Sequence, residues 1–107
     1  MNSVQLIGYL GKDPVIKQRQ NGLNLAILRL ATDRYAMASE GKKRKFTEWH
    51  TVMVWGQDQV EKLRNYLIKG SHIMVGGAIR YSTFSDNSGR VRDIVTIHAS
   101  FLVDLDR

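Results

Sequence analysis

Ten consecutive residues, Thr47 to Gly56 (TEWHTVMVWG), hold both tryptophans of the chain, Trp49 and Trp55. In a β-strand successive side chains point to opposite faces. That puts Trp49, Thr51, Met53 and Trp55 on one side and His50, Val52 and Val54 on the other. At a rise of about 3.3 Å per residue the two indoles lie about 20 Å apart along one face. Both sides are apolar enough to be buried. Either the valines face a core and the tryptophans form a surface platform, or the indoles are the core and the valines stand half exposed. The strand alone fits both.

The rest of the chain supplies neighbours for this strand. Ser3 to Leu10 mixes Val4, Leu6, Ile7 and Leu10 with Gly8, whose place inside a strand marks a bend or a close backbone approach. It stops at the turn-like Gly11-Lys12-Asp13-Pro14. Asn21-Gly22 is a hairpin turn ahead of a second apolar run, Leu23 to Thr32. Residues 33 to 46, DRYAMASEGKKRKF, carry only scattered apolar side chains and are expected to form a long, mobile, basic loop. After Gly56 the period changes, with Val60, Leu63, Tyr66 and Leu67 at helical spacing. Asp58 with Glu61 resembles a helix start and Lys69-Gly70 a stop, which predicts a helix of about eleven residues.

From His72 to Tyr81, the side chains of Ile73, Val75, Ile79 and Tyr81 share a face with Gly77, and Gly76-Gly77 would let the strand coil sharply. Asp86-Asn87-Ser88-Gly89 is a turn. Val91 to Leu105 is a last strand in which Val95, Ile97, Ala99 and Phe101 alternate with Thr96, His98 and Ser100. The resulting order is β-β-β-α-β-β. It is the order of an all-β, five-stranded Greek-key barrel of the oligonucleotide-binding (OB) type, with one helix between strands 3 and 4 and one sheet face open to a ligand. A sandwich would not need the central helix.

A length of 107 residues fits a single domain with one core, residues 1 to 107. The chain has no cysteine, which excludes disulfides, thiolate metal sites and a cysteine nucleophile. It has no leader-like N-terminus and no apolar run of membrane-spanning length, so a cytoplasmic address is expected. Sixteen Lys and Arg against ten Asp and Glu give a net charge of +6, which favours polyanionic partners such as nucleic acid. The charge is concentrated: Lys42, Lys43, Arg44 and Lys45 stand together just before the tryptophan strand, and Lys12, Lys17 and Arg19 cluster near the first turn. A basic run by itself is usually a solvated loop. Its position beside Trp49 favours a binding role.

Five segments, in order, resemble the bacterial single-stranded DNA-binding protein family in its DNA-binding domain. They are VQLIGYLGKDP at 4 to 14, LATD at 30 to 33, TEWHTVMVWG at 47 to 56, YLIKGSHIMVGGAIR at 66 to 80 and FSDNSG at 84 to 89. The resemblance implies that Trp49, Trp55 and Phe84 stack on DNA bases. Stacking needs only a flat polarizable ring, so sequence tolerance follows. An aromatic expected four residues after the LAT threonine is Ala36 here, with Tyr35 one residue earlier; Tyr35 is included as a base contact, although a one-residue shift in a strand turns the ring to the other face. Tyr81 shares parity with Ile79, which points to the core, with a DNA contact as the weaker alternative. Lys42, Lys43, Arg44, Lys45, Arg80, Arg90 and Arg92 are the expected phosphate contacts, and Arg29 and Arg34 could join them. Each phosphate neutralised on a single strand adds about 0.7 to the slope of log affinity against log salt.

The same resemblance implies a homotetramer, with a dimer as the alternative, and an interface role for His50, which faces away from the indoles. It also implies work on single strands in replication, recombination and repair, and a nucleoid-associated location. Many relatives continue into a flexible tail with an acidic tip that recruits replication and repair enzymes. This sequence ends after the last strand, as a piece of a longer protein or a short tail-less relative would. Two rivals share the fold: a primosomal replication-restart accessory protein, and a barrel whose aromatics meet a partner polypeptide. His50, His72 and His98 make no metal motif, and no nucleophile or paired-carboxylate arrangement is present. No catalysis, no metal and no cofactor are expected.

Overall fold

The computed structural model describes residues 1–19 and 22–106. Its elements are β1 (Val4–Leu10), β2 (Val15–Gln18), β3 (Asn24–Met37), β4 (Lys43–Trp55), α1 (Gln57–Tyr66), β5 (His72–Ser85) and β6 (Val91–Asp104). β1 and β2 are two pieces of one lane: both pair antiparallel with β3, through Leu10↔Leu30 and Val15↔Ile27, on either side of the bend at residues 11–14. With that lane counted once, the ring β1-β5-β6-β4-β3-β1 closes a five-stranded barrel of the OB type. Closure falls to β4 and β6, which run parallel at Val52↔Ile97 and Met53↔His98.

Alternation along the strands fills this barrel. Leu28, Leu30, Val52, Ile73 and Val75 are fully buried, and Val60, Leu63 and Leu67 of the helix and its exit join the same cluster. Each such side chain contributes about 1.5–3 kcal/mol on burial. Two glycines allow the lanes to close up, because a Cβ at Gly8 would strike the Ala31 carbonyl and one at Gly77 the His98 carbonyl. Asp13 ties the first bend to the helix exit by accepting the Lys69 N–H at 2.7 Å.

Three hairpins end in one device. The N–H of residues 19, 38 and 86 donates to the carbonyl of residue 23, 42 and 90, and a glycine at the fourth position of each turn returns an N–H to the first. Gly22, Gly41 and Gly89 all have φ between 75° and 82°, a region other residues enter only with strain. Asn21, the other half of the expected Asn-Gly turn, lies outside the described residues.

Several expectations need correction. Residues 33 to 46 are not a loop: β3 and β4 stay paired out to Met37↔Lys43, and only the turn at 38–42 separates them. Polar pairs across the ribbon take the place of a buried face. Thr47 Oγ1 donates to Asp33 at 2.9 Å, Arg34 pairs with Glu48 at 2.7 Å and Lys45 approaches Asp33 at 3.8 Å. The helix has ten residues, and its N-cap, Gly56, makes no side-chain cap bond, so Asp58 and Glu61 form no capping box. Phe101 does not keep the alternation of Val95, Ile97 and Ala99. β6 carries one extra residue opposite Gly76 and Gly77, which flips parity, so that Leu102 turns inward and Phe101 lies outside over Gly76. Asp106, just past β6, accepts the His72 N–H at 3.0 Å.

Candidate nucleic-acid interface

Exposure resolves the two readings of the tryptophan strand. Val52 and Val54 are 0% and 6% exposed, while Trp49 and Trp55 are 49% and 37% exposed. The indoles are therefore the outer face of β4. Each is braced by its neighbours. The six-membered ring of Trp49 rests on the backbone of Gly11, where a Cβ would overlap it. The Arg29 guanidinium stands 5.8 Å from the same ring and is fixed by donating to Thr51 Oγ1 at 2.9 Å. Trp55 has Arg19 at 5.7 Å and the tilted His98 ring at 6.2 Å. Cations over exposed indoles contribute about 0.5–1 kcal/mol each and orient the rings.

Register carries this face across the parallel seam. Met53 is paired with His98 and His98 with Ala78, and on the same parity Arg80 lies opposite Thr96 and Phe84 opposite Arg92. Trp55, His98, Arg80 and the 46% exposed Phe84 thus share one side of the sheet. Burial, helped by the Arg80 charge, lowers the His98 pKa and keeps that ring neutral at neutral pH. Tyr81 sits on the opposite side. It is 75% exposed, because its stretch of the β5–β6 hairpin extends past the barrel, so parity with Ile79 does not bury it.

The cationic candidates divide in the same way. Tyr35 pairs with Lys45 and Met37 with Lys43 on the parity of Ala31↔Trp49, so Tyr35, Lys43 and Lys45 lie on the indole side. Arg44 lies on the reverse side, with Arg34 and Phe46, and Lys42 is in the turn. Arg92 is engaged: its Nε donates to Asp86 at 3.0 Å. Asp86 also accepts from the Ser88 hydroxyl and from the Ser88 and Arg90 N–H groups. Those bonds, the Ser88 hydroxyl first, hold its carboxyl down at about 2. Arg90 sits in the hairpin turn. His50 is half-buried on the valine side, where its Nε2 is 2.8 Å from Thr32 Oγ1. Burial lowers its pKa most, Glu48 opposes the shift and Arg29 adds to it.

Sequence reasoning misses Gly11 and His98 as supports of the indoles and Phe46 as an exposed aromatic; it gives Arg19 only as part of a basic cluster. Supports of this kind depend on which chain segments meet in space, which no local pattern encodes. Among the described residues no three His, Asp or Glu side chains come together as a metal site, and no helix is long and apolar enough to cross a membrane.

The profile of the single-strand binding protein family matches residues 1–105. This chain belongs to that family. Members of the single-strand binding protein family are non-enzymatic DNA-binding proteins. A "Single-stranded DNA-binding protein" of Xylella fastidiosa strain Temecula1 is 37% identical over 99 residues, 92% of this chain and 60% of the relative. One from Rhizobium meliloti strain 1021 is 34% identical over 93 residues, 86% of this chain and 53% of the relative. The chain thus spans between half and three-fifths of these relatives' lengths. Among solved structures, the Plasmodium falciparum SSB complex with ssDNA superposes with a TM-score of 0.89 at 29% identity, covering 99% of this chain and 96% of that one. A deletion mutant of the single-stranded DNA-binding protein from Thermus aquaticus gives 0.83 at 28% identity, covering 98% and 50%.

Proposed function

We propose that residues 1 to 107 act as one sequence-tolerant, single-stranded DNA-binding module that covers strands exposed in replication, recombination and repair, in a cytoplasmic, nucleoid-associated setting. The observation that carries this is the outer face of β4, where two indoles are each braced by neighbours and yet remain 49% and 37% exposed. Bases stack on Trp49, Trp55 and Phe84, with Tyr35 further out on the ribbon. Lys43, Lys45, Arg80 and Arg29 border the same face and serve the phosphates, with Lys42 and Arg90 at the hairpin turns. Arg92 takes part only by giving up Asp86. The likeness to a family member solved with single-stranded DNA supports the choice of ligand.

The reading includes self-assembly to a homotetramer. Ile7, Tyr9, Met74, Phe101 and Val103 share the outer face of β1, β5 and β6, and four of the five are more than 40% exposed; Met74 is half-buried. A contiguous apolar face of that kind marks an interface. His50, neutral and half-buried on the valine side at the root of the β3–β4 ribbon, serves the contact with a neighbouring subunit.

Fluorescence anisotropy of a labelled oligothymidylate tests the proposal. Binding should be tight at low salt, weaken on a straight log–log salt plot and resist competition by duplex DNA of the same length. Replacing Lys43 and Lys45 together by Ala should flatten that plot by about 0.7 for each phosphate that is no longer neutralised. Equal competition by duplex would overturn the proposal. Light scattering checks the assembly, with a mass four times that of the chain expected.

A further inference from the structure

The β3–β4 ribbon has a second, reverse face. In the barrel, this parity faces the core, as in Leu30↔His50; beyond the rim the same parity continues to Thr32↔Glu48, Arg34↔Phe46 and Ala36↔Arg44 with no core left to fill. Alternation there calls for polar residues on both sides, and most of the ribbon obeys. Phe46 does not. It stands 39% exposed in a ribbon that has no apolar neighbour larger than Ala36 on this side.

Its surroundings are specific. The Arg34 guanidinium lies 4.6 Å from the Phe46 ring centroid, and Glu48 fixes that guanidinium through a 2.7 Å bond from Nε. The ring thus has an oriented cation against it and still keeps 39% of its surface exposed. Arg44, two residues along β4, is on the same face. An oriented guanidinium, a part-exposed aromatic ring and a second arginine one strand repeat away match the chemistry that binds a single strand: a base on the ring's exposed surface and phosphates on the cations.

We propose that Phe46, with Arg34 and Arg44, is a second base-stacking site for single-stranded nucleic acid, on the reverse face of the ribbon from Trp49. This rests on the proposed function, and it adds a path: a strand long enough to leave the indole face continues around the ribbon edge and is held on both sides. A strand short enough to lie on the indole platform alone does not reach Phe46. OB barrels engage about 4–16 nucleotides each, so oligothymidylates of about 8 and about 35 nucleotides separate the two cases.

The experiment compares wild type with Phe46→Ala, Phe46→Leu and Phe46→Tyr in titrations with both oligomers, with circular dichroism to check folding. The long oligomer should bind Phe46→Ala and Phe46→Leu at least about five-fold more weakly, the equivalent of about 1 kcal/mol for one stacked base. Phe46→Tyr, which keeps the ring, should restore the affinity, and all three should bind the short oligomer as wild type does. Unchanged affinity of Phe46→Leu for the long oligomer would overturn the second site while leaving the indole platform intact. An equal loss on both oligomers would also overturn it, by placing Phe46 within the primary path. Failure of wild type to bind either oligomer would remove both readings together.

Discussion

The barrel body and the two ribbons that project from it treat aromatic side chains differently. In the body the two indoles are clamped: Trp49 rests on Gly11 with Arg29 beside it, and Trp55 is braced by Arg19 and His98. On the ribbons both faces meet solvent, and Tyr35 and Tyr81 are 67% and 75% exposed. Orientation is thus built mainly into the body, whereas the ribbons offer charge and reach, with Phe46 against Arg34 as the exception. A preorganised ring loses less freedom when a base stacks on it, so the body should supply most of the affinity per ring.

The largest expected effect lies on the inner side of the body. Leu28→Ala should destabilise the fold by about 2–5 kcal/mol in a denaturant melt, because it opens a cavity among fully buried neighbours. Next comes the outer side of the same barrel: Trp49→Ala and Trp55→Ala should each weaken single-strand binding by about 1–3 kcal/mol while keeping the folded circular dichroism spectrum. Loss of that spectrum would show that the indoles hold the core together rather than stand on its outer face.

Gly11→Ala sharpens the comparison further, since it alters the support of an indole and keeps the indole itself. Its methyl group must push the Trp49 ring aside, so the near-ultraviolet circular dichroism should change and binding should fall toward that of Trp49→Ala, with a smaller loss of stability than Leu28→Ala. Unaltered binding would mean that clamping does not matter. The smallest effect concerns a ribbon tip. Asp86 sits at about 2 in the fold against an ordinary 3.8, so its hold on Ser88, Arg90 and Arg92 is complete above about pH 3.8 and is lost as pH falls through about 2. Amide shifts of Ser88 and Arg90 should titrate with that midpoint, and a midpoint near 4 would show the tip to be unbraced.

Legibility in the sequence follows the same division. Period-two alternation exposes the core of β4 and β5, and helical spacing marks Val60, Leu63 and Leu67, because burial on one face leaves a pattern. The outer half of β3 and the start of β4 leave none, as charged and polar residues occupy both sides of a ribbon held by Asp33, Glu48 and their partners. β2 is hidden because four residues after a proline are too few to show a period. Tyr81 and Phe101 mislead for one reason each. Parity says nothing about where a strand leaves the barrel, and one extra residue in β6 reverses it. At the candidate site, the stacking rings are readable as residue types on a strand. Their supports, Gly11 and His98, come from other parts of the chain and are not.

The central claim is that the two clamped indoles receive the bases. Trp55→Phe leaves Trp49 as the only tryptophan and Trp49→Phe leaves only Trp55, so the fluorescence of each can be followed alone as oligothymidylate is added at low salt. Both should be strongly quenched by the single strand and little changed by duplex DNA. An indole that keeps its fluorescence while anisotropy shows the strand bound would place the bases elsewhere and contradict the account.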